Sequence, residues 1–306
     1  MARRPPLLIT LPAAVLAVLV TASGALARTG ASDGWLGTVN AYRASAGLAP
    51  VEENATWSAD ALAHSRYLVD NDVVSHEEDP DLPGATLGGA IAGANGNVAG
   101  TGAASRTDEA FVELWMAGPF HAIGILRPDL ESVGYGAHRD DDAGDIRAAA
   151  TLDVVRGIDP DRAGTDEPVV WPGDGSVVPL REYPGNELPD PVTACPGYSP
   201  PTGLPILVLL PDDAVDVTSS GIDVDGRRVA HCRITAESYT HPVQRWEDRG
   251  RALLAADNAT ILVARDPFED GDRVSVELGA APYDLRWSFD IGSPSGEILP
   301  ADDVLR

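Results

Sequence analysis

The chain has 306 residues and a formal net charge of −25, from 47 acidic residues against 22 basic ones, and it contains no lysine. A surface of that sign repels phosphate, which argues against nucleic acid as a partner and against electrostatic docking on anionic lipid. The length allows two domains with cores of their own. The Ala-, Gly-, Asp- and Val-rich, lysine-free composition fits either a GC-rich bacterial coding bias or a salt-adapted surface.

Residues 1–27 read as a Sec-type signal peptide. Arg3 and Arg4 form a positive start, Leu7 to Val20 is an apolar run, and Ala25-Leu26-Ala27 is a small-x-small cleavage site. The run is short for a membrane span, which takes roughly 20 residues. The expected location is therefore outside the cell or in the cell envelope. Removing the leader takes away two arginines and no acid, so the charge moves from −25 to −27.

The first folded region is expected over 32–157. Ser32-Asp33 is an N-cap pair, Trp35, Val39, Tyr42 and Ala46 follow at helical spacing, and Gly47 stops the helix. A second helix is predicted from Ser58 to about Asn71, with Trp57, Ala61, Ser65 and Leu68 on its buried stripe. Residues 77–104, rich in Gly, Ala, Asp and Pro, predict a long loop with room for one short strand. Ser105-Arg-Thr-Asp108 resembles a capping box and opens a third helix through Phe111, Leu114 and Trp115. The Gly118-Pro119 pair then breaks the chain and places His121 in a turn. Two strands follow, Ser132 to His138 and Ala148 to Val155. Helices first and strands later around one core predict an α+β layer fold.

Residues 158–170 are polar and read as a linker. From 171 to 292 the pattern is short strand-like runs between turn residues: Pro205–Leu210, Ala214–Thr218, Val229–Thr235, Thr260–Ala264, Arg273–Leu278 and Leu285–Ile291. That rhythm predicts an all-β antiparallel sandwich, with Asp270-Gly271 as a turn and Trp287 and Phe289 on one face of the last strand. Residues 293–306 form a tail. In an exported protein the lone pair Cys195 and Cys232 is expected as a disulfide, stabilising this half by about 3–4 kcal/mol.

No Gly-x-Ser-x-Gly elbow, phosphate-binding loop, His-Glu-x-x-His or dinucleotide fingerprint is present, which counts against a conventional enzyme. The chemistry left to read lies at His76, in a Ser-His-Glu-Glu loop, and at His121. Around them stand Asn40-Ala-Tyr-Arg43 with Gly47-Leu48, Ser75-His76, Trp115-Met-Ala-Gly-Pro-Phe-His121 with Ile125-Leu126, and Val133-Gly134-Tyr-Gly136. In that order these segments resemble the CAP superfamily of cysteine-rich secretory, antigen 5 and pathogenesis-related proteins. The region from 171 is similar, more loosely, to bacterial immunoglobulin-like domains, through its Asp-Pro-Phe-x-Asp-Gly-Asp272 turn, its Val-Ser-Val-Glu-Leu strand and Arg-Trp287-Ser-Phe289.

The CAP resemblance implies an α-β-α sandwich whose cleft carries two histidines and two glutamates able to hold a divalent metal. His76 and His121 match the histidines. The glutamate positions fall on Gly96, beside Asn97, and on Gly118, so the cleft is expected to lack both family carboxylates. Asn97 and Glu113 are the remaining candidate cleft residues, Glu113 lying one helical turn from Ala117, while Glu77 and Glu78 flank His76. Two imidazoles alone make a weak zinc or magnesium site. The leading expectation is thus a non-catalytic exported protein that binds a small apolar or cell-envelope ligand. The alternative is a metal-assisted hydrolase using His76 and His121, and a third reading is a structural envelope protein with a relic cleft.

Overall fold

The computed structural model describes residues 34–159, 161, 167–211 and 216–292. The expected leader, the Ser32-Asp33 cap, the tail and part of the linker lie outside these residues, as do Ala214 and Val215. The fold is α+β.

Helix α1 (Gly34–Ser45) buries Val39, Tyr42 and Arg43. Strand β1 (Glu52–Glu53) leads into α2 (Ala55–Asp70), whose N-cap Asn54 accepts the free N–H groups of Thr56 and Trp57. The expected loop over 77–104 holds two elements instead: helix α3 (Leu87–Ala94), capped by Thr86, and strand β2 (Gly96–Thr101). Helix α4 (Asp108–Ala117) is capped by Thr107 rather than by Ser105. The Gly118-Pro119 break is also a beginning. Pro119 has no N–H to waste and its φ suits the first helical turn, so a second short helix, α5 (Pro119–Ile125), starts there. His121 therefore sits in a helix and not in a turn. Strands β3 (Ser132–Arg139) and β4 (Ala148–Asp153) follow, close to their expected bounds.

The first sheet has the order β1-β3-β4-β2. β4 is central, pairing antiparallel with β3 (Tyr135 opposite Leu152) and with β2 (Asn97 opposite Leu152), while β1 adds in parallel to β3. One face packs on α2 through Tyr67, Leu68, Val98 and Ala149. The other face joins Ala148, Ala150 and Tyr135 to Phe111, Trp115 and Ile123. Strand alternation separates these two sets, which gives the α-β-α layering. The Gly134-Tyr-Gly136 sequence follows from the same geometry. A Cβ at Gly136 would come within 2.1 Å of Leu62 N, and one at Gly134 within 2.4 Å of Trp57 Cβ, so α2 can lie flat on β3 only over glycines. Between them Tyr135 points the other way, stacked 4.9 Å from Trp35.

Downstream, β5 (Val169–Trp171), β6 (Val177–Val178), β7 (Glu182–Tyr183), β8 (Thr202–Gly203), β9 (Ile206–Leu209), β10 (Ser219–Val224), β11 (Arg227–Arg228), β12 (His231–Ile234), β13 (Ala259–Ala264), β14 (Arg273–Ala280) and β15 (Tyr283–Ile291) build further sheets. One has the order β11-β10-β14-β15-β6, another β12-β13-β9-β5, and β7 pairs with β8. Trp287 and Phe289 share the buried face of β15. Cys195 and Cys232 are joined as expected. Asp216–Thr218, expected as part of a strand, forms none. A 13-residue helix, α6 (Gln244–Ala256), stands among the strands where only short strand-like runs were expected. Among the described residues no helix is long and apolar enough to cross a membrane.

Candidate functional site

Arg43 and Asn40 are the frame of the site rather than part of it. The Arg43 guanidinium is fully buried and donates to the carbonyls of Ala49 (2.8 Å), Ile125 (2.7 Å), Arg127 (2.9 Å) and Leu130 (3.2 Å). Those include carbonyls at the end of α5, which have no intrahelical donor of their own. Burial brings the Arg43 pKa down to about 10, with Asp129 acting against it, so the group remains a cation. Asn40 exchanges two hydrogen bonds with the backbone of Val51, at 2.8 and 3.1 Å. Together they fix α1 against α5, the helix that carries His121.

His121 is buried, and its backbone carbonyl accepts from Asn97 Nδ2 at 3.0 Å. Its ring meets a residue that sequence reasoning missed. Glu187, fully buried and 66 positions downstream, places Oε1 2.6 Å from His121 Nδ1 and 2.9 Å from the His121 main-chain N–H. Burial raises the Glu187 pKa, while the hydrogen bond and charge of His121 pull it back. The contact needs Gly118. A Cβ there would stand 2.8 Å from Glu187 Oε1 and 3.0 Å from its Cδ. The position where the CAP resemblance expects an acid is thus emptied, and a carboxylate from elsewhere in the chain fills the space. The expected loss of carboxylates from the cleft is corrected in this respect: one carboxylate is there, borne by another segment. No local signal marks Glu187, which sits in a Pro-Gly-Asn-Glu-Leu-Pro stretch.

His76 is partly buried in the loop after α2, with Nδ1 2.9 Å from the carbonyl oxygen of Gly93 in α3. Its pKa falls to about 4. Burial is the main cause; the Gly93 bond opposes it, and positive charge at His121, Arg249 and His64 adds to the fall. His121, Arg249 of α6 and His64 thus act on the charge of His76, each less than its burial does.

The other candidates fall elsewhere. Glu113 acts on Tyr42 and Arg106. Glu78 turns away from His76 to bond His64 Nδ1 at 2.9 Å, and the second nitrogen of His64 lies 2.9 Å from the Ser75 carbonyl. Both atoms of His64 are thereby engaged, and that fully buried pair pins the loop bearing His76. Glu77 is exposed. Gly96 is crowded by Ala92 O (2.8 Å) and Leu152 O (3.0 Å), so the β2 start has no room for an acid.

The donor set does not fit a resident zinc or magnesium. Glu187 addresses His121 Nδ1, on the far side of the ring from Nε2, and among the described residues no three His, Cys, Asp or Glu side chains gather as ligands. Two imidazole nitrogens remain, below the three protein ligands that zinc sites use.

Comparison with known families agrees with this geometry. Residues 36–152 match the model of the cysteine-rich secretory protein family, CAP, so the α-β-α layers around His76 and His121 are a CAP domain. Glu187 and Arg249 lie outside the matched residues. No curated protein matches the chain.

Proposed function

We propose that the protein is an exported, non-catalytic binding protein of the cell envelope or extracellular space, whose CAP cleft takes a small apolar or envelope-derived ligand. One observation carries the reading. Helix α3, whose Gly93 carbonyl holds His76, has no charged residue and leaves Leu87 80 % and Ile91 38 % exposed. These lie four residues apart on one helical face, and an exposed apolar helical face suits the apolar part of an amphiphile. Residues 1–27 would act as the leader of a bacterial secreted chain, and 171–292 as an immunoglobulin-like sandwich that spaces or presents the CAP domain.

The test is to incubate the purified chain with an envelope lipid extract and a sterol panel, re-isolate it and identify retained molecules by mass spectrometry. Retention that falls at least tenfold on Leu87→Asp/Ile91→Asp supports the proposal. Retention of nothing across the panel removes it.

A further inference from the structure

The chain holds two Asn-x-Thr triplets, Asn54-Ala-Thr56 and Asn258-Ala-Thr260. In an exported protein that spacing can accept an N-linked glycan. The letters are the same, and the fold treats the two in opposite ways. Asn54 stands between β1 and α2, with Glu52, Glu53, Ala55 and Thr56 all exposed. Its Oδ1 accepts the Thr56 N–H at 3.1 Å and the Trp57 N–H at 3.3 Å, an Asx turn that caps α2. The structural duty of the side chain thus rests on Oδ1. Nδ2 donates to none of the described residues and is not among the buried unpaired atoms, so it faces water. A sugar that replaces one Nδ2 hydrogen leaves the cap as it is. At Asn258, by contrast, Nδ2 donates to the Pro211 carbonyl at 3.0 Å. Ala259 and Thr260 are 4 % and 2 % exposed inside β13, with Thr260 opposite Val208 of β9. A transferase that has to read the threonine cannot reach it in the folded chain.

We propose that Asn54 Nδ2 is an N-glycosylation site of the folded, exported chain, and that the fold withholds Asn258. This rests on the exported reading above. The co-substrate is an oligosaccharide linked through a diphosphate to a polyprenol. Nδ2 forms a bond to C1 of the first sugar, the bond from C1 to the diphosphate oxygen breaks, and the polyprenyl diphosphate leaves. The displaced Nδ2 proton passes to a base of the transferase, and nothing is oxidised or reduced. A glycan at Asn54 stands beside β1, the edge strand of the first sheet. Exposed sheet edges invite pairing with other chains, and covering them is one way proteins prevent it.

The experiment recovers the full chain from its source cells and their medium and digests it with trypsin. With no lysine present, cleavage follows arginine alone and isolates one triplet in each of the peptides 44–66 and 252–265. Mass spectrometry should find 44–66 heavier by whole sugar residues and 252–265 at its bare mass. Two variants separate the sugar from the fold. Asn54→Asp keeps an oxygen that caps α2 equally well but has no amide nitrogen, and Thr56→Ala removes an exposed hydroxyl while leaving the backbone N–H of the cap. Both should lose the glycan and keep the thermal midpoint of the enzymatically deglycosylated wild type. An extracellular chain that has lost its leader and carries 44–66 at its bare mass would overturn the proposal while the exported reading stands. A chain found inside the cell with its leader uncut would overturn both. A glycan on 252–265 would show that modification ignores the fold and would overturn the selection of Asn54.

Discussion

At the scale of single residues, burial decides which charges the cleft can hold. His76 has the clearest consequence. Its pKa in the folded chain, about 4, lies below the ordinary 6.5, so between those values the unfolded chain binds a proton that the native one refuses. Its contribution to stability is full above about pH 6.5 and is lost as the pH falls toward 4. The ceiling on that loss is about 3.5 kcal/mol, at roughly 1.4 kcal/mol per pH unit. Glu187 has the opposite sign: its raised pKa favours the native state in acid and works against it as the pH rises. The wild-type profile mixes the two, and a variant separates them. His76→Gln should lose less stability than wild type between pH 7.5 and 4.5, by about 2 kcal/mol in urea titrations; equal losses would show that His76 titrates as it does in water. The sequence disclosed His76, His121 and Asn97 because each stands inside an ordered motif. It hid Glu187, since a carboxylate that arrives through space leaves no spacing to read; the one trace was a glycine, Gly118, standing where an acid was expected.

Whole elements were legible where their pattern is amphipathic and obscure where packing dictates composition. α1, α2 and α4 announce themselves by buried side chains at helical intervals, and β3 and β4 by short runs buried nearly throughout between turn residues. α3 does not, because its glycines exist for its neighbours: a Cβ at Gly89 would meet Glu78 Oε1 at 2.2 Å, and one at Gly93 would meet His64 Cε1 at 2.4 Å and His76 O at 2.7 Å. Read alone, Leu-Gly-Gly-Ala-Ile-Ala-Gly-Ala looks like a loop. α6 hides for a similar reason, with Gly250 pressed 2.3 Å from the Tyr239 ring by the same measure and only Gly250 and Leu254 buried. This predicts the sign of a simple substitution. In an open helix Gly→Ala stabilises by about 0.5–1 kcal/mol. Gly93→Ala must instead displace the His64 ring, which Glu78 and Ser75 hold at both nitrogens, and should cost about 2–3 kcal/mol. It should also shift the His76 imidazole resonances, because the Gly93 carbonyl is their anchor. A stabilised Gly93→Ala protein with unmoved His76 signals would show that α3 has slack.

For the molecule as a whole, several contacts cross from residues 34–159 to the residues beyond. Arg127, just past α5, forms a two-pronged ion pair with Asp257 at 2.8 and 2.9 Å. Phe120 meets the Tyr239 ring edge-on at 5.4 Å, and Tyr42 packs against Trp171 at 6.1 Å. The backbone at Gly173 lies so near Ser45 O that a Cβ would stand at 1.9 Å, and one hydrophobic cluster runs from Val39 to Ile291. A structure tied in this way should unfold as one. Tryptophan fluorescence, far-ultraviolet dichroism and the His121 NMR signal should lose native character at a single midpoint. The Cys195–Cys232 bond, which closes a loop in the second half, gives the decisive variant. Cys195→Ser/Cys232→Ser should lower stability by about 3–4 kcal/mol and move the His121 transition by as much as the transition of the second half. A His121 signal that holds its midpoint while the second half melts earlier would separate the two halves energetically, and would leave Glu187 a visitor to the cleft instead of a part of it.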